Sequence, residues 1–233
     1  MLSTNAQAWI NEYETEEKRQ MAVRTTNAGS GDFEKAPEGM HIARCFKIID
    51  CGTHINPTFG KKQRLAWIFF ELPKALMTKG EFAGKPFSIG KRYGLSHNEK
   101  STLRSDLESW YGKRFDTAAL DKAGGFDLEK LLARPAMLNI VHSEDGKYAN
   151  IKAINPLPGG FECPPQINES FVFSLSDFSR SAFDKLSDKM KEFISASDEY
   201  RAMSQPEGKQ TGGHFDDMVD DVPWGDPSDQ PPF

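Results

Sequence analysis

A mainly β fold with added helices is predicted by three observations. Apolar residues alternate along three successive stretches between residues 40 and 96. One amphipathic helical repeat follows, and a strong turn signal then joins two further strands.

The first strand is MHIARCFKIIDCGTHI (40–55), with a bend expected at Cys51-Gly52. NPTFGKKQ follows as a loop carrying two lysines. RLAWIFFEL (64–72) is the second strand. It sets Leu65, Trp67 and Phe69 on one face and Ala66, Ile68, Phe70 and Leu72 on the other. Two apolar faces mean that both are covered or that one binds a ligand. KPFSIGKRYGLS (85–96) is the third strand.

Leu103, Leu107, Trp110 and Tyr111 then recur at helical spacing, and Gly112 is a stop signal. Trp110 reads as a core anchor. FDLEKLLA (126–133) adds a helical turn or two before Pro135. AMLNIVHS and YANIKAINPL form a hairpin around Asp145-Gly146. Three strands, a helix and two strands is the element order of the OB-fold, a five-stranded Greek-key barrel that binds oligonucleotides or oligosaccharides.

Four segments result. Residues 1–36 hold an N-terminal helix (4–20, with Trp9, Ile10 and Tyr13 on one side) and the linker TTNAGSGD. Residues 37–160 are the barrel. Residues 161–203 are an arm, in which FVFSLSD is a strand or an extended segment. The arm's helix places Phe183, Leu186, Met190, Phe193, Ile194 and Tyr200 on one stripe. That stripe packs on the barrel, with a homodimer seam as the second reading. Residues 204–233 have the composition of a disordered acidic tail.

Charge is distributed unevenly among these segments. The whole chain has a formal net charge of −5. Residues 1–40 hold four Lys/Arg against seven Asp/Glu, net −3. Residues 41–160 hold nineteen against twelve, net +7, and residues 161–233 hold six against fifteen, net −9. A basic body between acidic ends points to a nucleic-acid site beside a regulatory or partner-binding tail.

Other classes find little in the residues. No run of eighteen apolar residues and no signal-type leader is present, so a cytoplasmic protein without a membrane span is expected. Cys45, Cys51 and Cys163 are too few and too irregular for a disulfide framework. His41, Cys45, Cys51 and His54 lie on one strand, whose alternation separates their side chains, so no metal is expected. No Walker loop, GxGxxG, HExxH or GxSxG occurs, and the histidines stand singly. Asp106 and Asp121 have no partner that the sequence assigns. Neither catalysis nor a cofactor is expected.

Single strands are held by cations on phosphates and by aromatics that stack on bases. The basic body interleaves the two. Lys61, Lys62 and Arg64 lead into Trp67 and Phe69; Lys91 and Arg92 precede Tyr93; Arg44 and Lys47 flank Phe46. Phe46, Phe70 and Phe87 read as core. Trp67 and Tyr93 are the leading stacking candidates, because ligands of OB-folds lie on the first loop and on strands two and three.

The chain ends HFDDMVDDVPWGDPSDQPPF, with six aspartates and no lysine or arginine. Such a segment can visit a basic groove and compete with phosphates there. Its tip offers an aromatic and a carboxylate for capture by a partner. The tail resembles the acidic C-terminal tip of bacterial and bacteriophage single-stranded DNA-binding proteins. LRSDLESWYGKRF followed by FDLEKLLARPAMLNIVH is similar to tailed-phage replication-module proteins, a likeness covering most of residues 37–160. The resemblance implies a protein that coats single-stranded DNA in phage replication, recombination or repair, in the cytoplasm of the host cell. It also implies that Asp220, Asp221, Pro232 and Phe233, with Trp224 beside them, recruit replication or recombination proteins. The acidic block departs from the family pattern in having PSDQ before PPF and a tryptophan at 224. Two other classes remain: a DNA mimic whose tail occupies a host nucleic-acid-binding protein, and a nuclease with diffuse acidic ligands.

Overall fold

The computed structural model describes residues 34–57 and 60–204. The expected N-terminal helix and the acidic tail lie outside them. Five strands form an antiparallel path in the order β3-β2-β1-β4-β5. They are β1 (Gly39–Ile55), β2 (Lys62–Leu76), β3 (Pro86–Gly94), β4 (Pro135–His142) and β5 (Ala149–Asn155). Two helices, α1 (Thr102–Tyr111) and α2 (Thr117–Lys122), separate β3 from β4, and a short 3-10 turn at Leu128–Leu131 leads into β4. The predicted succession of strands is therefore observed, with α2 added to the single predicted helix, and Gly146 makes the hairpin turn between β4 and β5 at φ +65°.

The long strand β1 makes this possible. Its first part, Gly39–Arg44, pairs with β4, while Arg44–Ile55 pairs with β2. Irregularities at Cys45/Lys47 and at Asp50/Gly52 bend it, the second where the sequence predicts a bend. A sixth strand, β6 (Phe171–Phe173), joins β1 in parallel through Lys47–Ile49.

The sheet is open where the sequence reading expects a closed barrel, since no ladder joins β3 to β5 among the described residues. The helix α1 lies beside this opening, where β3 and β5 still approach each other without pairing. It packs against both β3 and β5, and Leu103, Leu107 and Trp110 enter the core there. Trp110 is almost fully buried, and its Nε1 donates to the Pro135 carbonyl at 2.8 Å.

Both faces of β2 are covered. Ile68, Phe70 and Leu72 turn into the main core with Cys45, Ile48, Leu138 and Ile154, and Ala66 is buried as well. Leu65, Trp67 and Phe69 turn the other way, against a second core built from Ile49, Cys51, Phe173, Leu175, Phe183, Leu186 and Ile194. Phe46, Phe70 and Phe87 are buried as predicted.

The second core comes from the C-terminal arm, whose expected single helix (181–203) is three short ones. These are α3 (Arg180–Asp184), α4 (Asp188–Ser195) and α5 (Asp198–Ser204). A serine precedes each start: Ser179, whose Oγ accepts from Ala182 N at 3.4 Å, then the extended Ser187, then Ser197. Serine is a favoured residue at a helix N-cap because it satisfies an orphan N–H. The two breaks let Phe183, Leu186 and Ile194 all reach one core, so the stripe packs on the sheet. No helix of the described residues is long and apolar enough to cross a membrane.

Candidate nucleic-acid interface

The predicted binding residues do not form one surface. Trp67 and Phe69 stack on each other, ring centroids 5.4 Å apart, under the C-terminal arm. Their rings lean over Gly90 so closely that a Cβ there would lie 2.6 Å from both. Arg92 sits beside them, its guanidinium 5.9 Å from the Trp67 ring and 5.3 Å from that of Phe193 on α4. Lys62 pairs with Asp198 of α5 at 2.8 Å, and Lys61 is exposed beside it. Arg64 pairs with Asp50 at 2.6 Å and donates to Ser176 Oγ at 3.1 Å.

Tyr93 corrects the stacking expectation directly. It is 3% exposed, so its ring offers no face to a base. Its hydroxyl donates to Asp106 at 2.8 Å, and Lys91 meets the same carboxylate at 2.5 Å. Burial, with Asp106 adding to it, holds the phenol well above its ordinary range. Asp106, unpartnered in the sequence, is therefore the anchor of α1 to β3. Asp121 likewise gains a partner, His97 Nε2 at 2.7 Å.

Arg44 is also structural. It donates to the carbonyls of Ala133 (2.6 Å), Pro164 (2.9 Å) and Cys163 (3.2 Å). Cys45 faces the main core and Cys51 the second, and burial pushes both thiols up to about 12. Among the described residues, no group of three or more His, Cys, Asp or Glu could hold a metal ion.

Lys47 stands apart. The irregularity at Cys45/Lys47 sets it opposite Phe69 on β2 and Phe171 on β6. Its Nζ lies 5.5 Å from the ring centroids of Phe46 and Phe69 and 5.9 Å from that of Phe171. Among the described residues no carboxylate pairs with it. Half-buried, it has a pKa lowered by desolvation.

Two adjoining hollows, of about 590 and 300 Å³, share Phe46, Lys47 and Asn168. The larger also meets Lys35, Lys85, Phe82, Ser88 and Gly90, and the smaller meets Phe171 and Lys185. Lys35 is held by the Gly146 carbonyl, and Lys85 lies 5.2 Å over the Phe82 ring, which is 38% exposed. Among the described residues, the carboxylates that line the groove are Glu169 and Glu34. The backbone N–H of Thr78 and of Lys79 and the Thr78 hydroxyl occupy Glu34, at 2.6 to 3.1 Å. Tyr148, 66% exposed, precedes the groove residue Ala149.

Four lysines with exposed rings can neutralise phosphates and stack on bases. Of the sequence candidates, Lys47 faces this groove, with Phe69 against its ammonium. Lys35, Phe82, Lys85 and Lys185 were missed, because they lie on connections far apart in the chain. The only local signal was the interleaved pair Phe82/Lys85. The tail candidates Asp220, Asp221, Trp224, Pro232 and Phe233 lie outside the described residues. Compared with family models, curated proteins and solved structures, the chain matches none.

Proposed function

We propose that the protein binds single-stranded DNA along the groove centred on Lys47, without catalysis. The observation that carries this reading is the Lys47 ammonium. It is half-buried against three phenylalanine rings, with no carboxylate partner among the described residues. Partial burial of a cation without a counter-ion is unfavourable, and a phosphate would relieve it. Lys35, Lys85 and Lys185 supply further positive charge along the same path.

The strand order supports an OB-type architecture, in which β1 pairs with both β2 and β4 and α1 packs against β3 and β5. The acidic segment 214–233 completes the reading. It recruits replication or recombination proteins and competes with the strand for the basic body, as its resemblance to phage single-stranded DNA-binding proteins implies.

The test is titration of the protein with a labelled oligothymidylate and with a duplex of equal length, at several salt concentrations. Binding to the single strand that weakens steeply with salt supports the reading. Equal or better binding to the duplex, or none to the oligothymidylate at low salt, rejects it.

A further inference from the structure

We infer that the corner formed by Thr53 and Lys62 is a second phosphate-binding site, closed in this structure by two carboxylates of α5. This rests on the reading of the protein as a single-strand binder and adds a site outside the Lys47 groove. The geometry begins with Glu199. One of its oxygens accepts from Thr53 N at 2.6 Å, and the other accepts from Thr53 Oγ1 at 2.6 Å. Asp198 meets Lys62 Nζ at 2.8 Å, and Glu199 lies within electrostatic reach of both Lys62 and Arg64. A backbone N–H and a hydroxyl meeting one carboxylate, with an ammonium paired to the next carboxylate along, are donors of the kind by which proteins hold phosphate oxygens. Arg64 stands beside it, fixed by Asp50.

A notch at Gly52 sets the carboxylates in place. Gly52 has φ +76°, and a Cβ there would lie 2.5 Å from Ser197 Cβ and 2.8 Å from Glu199 Oε2. Ser197 itself is fully buried at this contact.

The closure is nevertheless shallow. Helix α5 contains no buried residue, and Tyr200 is its one ring on the second core. Its polar hold on the sheet is the Thr53 and Lys62 contacts. The rest of the arm is anchored differently, by β6 on β1 and by Phe183, Leu186 and Ile194 in the core. The last helix can therefore leave while the arm stays. A strand phosphate matches the single charge and two free oxygens of Glu199, and the further phosphates of the same strand meet the rest of the basic body, so the strand can take the corner from Glu199.

The decisive experiment compares oligothymidylate binding by the wild-type chain, the D198N/E199Q pair and a control pair, D184N/D188N. The control removes the same charge from exposed carboxylates of the same arm that do not touch β1. Opening the corner is expected to tighten binding several-fold beyond the control. It should also steepen the slope of log K against log salt by about 0.7. Gly52→Ala, which pries off Ser197 without changing charge, should also tighten binding, with faster amide exchange at 196–204 as the sign that α5 has left. Equal affinity of the D198N/E199Q and control pairs, with an unchanged slope, overturns the second site. Absence of binding by every protein, wild type included, instead overturns the single-strand reading.

Discussion

Arg44 and Glu71 face each other across the β1–β2 ladder and hold one connector between them. Arg44 donates to the carbonyls of Cys163 and Pro164, while Glu71 accepts from Ile167 N (2.9 Å), Asn168 N (2.7 Å) and Asn168 Nδ2 (2.7 Å). The connector then delivers Asn168 and Phe171 to the side of Lys47. A fully buried carboxylate and a guanidinium thus build the groove without touching a ligand.

Removing one half of this clamp should therefore cost stability first. Glu71→Ala leaves three donors without an acceptor, which is expected to destabilise the fold by about 3 kcal/mol. Denaturant unfolding measures the loss. Limited proteolysis should show new cleavage between residues 163 and 170 before global unfolding.

Tyr93 and Lys47 should behave oppositely, although both looked like binding residues in the sequence. Tyr93→Phe removes the bond to Asp106 and is expected to lower stability by about 1 kcal/mol while leaving oligothymidylate affinity unchanged. Lys47→Met keeps the stem among the rings and should weaken binding without lowering stability. Paired melting and binding curves distinguish the two.

Alkaline pH should release the strand early. In the proposed mode the protonated form of Lys47 meets the phosphate, and its pKa is depressed below the ordinary lysine value of 10.5. Affinity is then full below that depressed value and falls as pH rises through it. Lys47→Arg should move the loss to higher pH, because guanidinium stays charged there. Binding titrations from neutral pH to 10 measure both.

Thiol labelling should follow burial. Cys45 and Cys51 are enclosed, with thiols raised to about 12, whereas Cys163 is partly accessible beside Arg44. A thiol reagent added to the native protein should modify Cys163 first and reach the other two on unfolding.

What could be read from the sequence was mostly local. Alternation in 64–72, the repeat from Leu103 to Tyr111 and the Asp145-Gly146 turn each carry their structure within a few residues, and β2, α1 and the β4–β5 hairpin form there. Ser179, Ser187 and Ser197 were equally local signals for three helix starts, but the apolar stripe running through them masked the breaks. The site was harder to read, because long-range packing decides it. Trp67 is covered by residues more than a hundred positions later, and Tyr93 points inward because Asp106 awaits it. Lys47 owes its setting to an irregularity in β1 and to Phe171 across a parallel pairing. No period in the sequence encodes either.

The salt dependence of oligothymidylate binding by Lys47→Met, beside the wild type, tests the groove most directly. Loss of one phosphate contact should reduce affinity several-fold and flatten the slope of log K against log salt by about 0.7. A variant with wild-type affinity and slope would contradict the assignment of the strand to this groove.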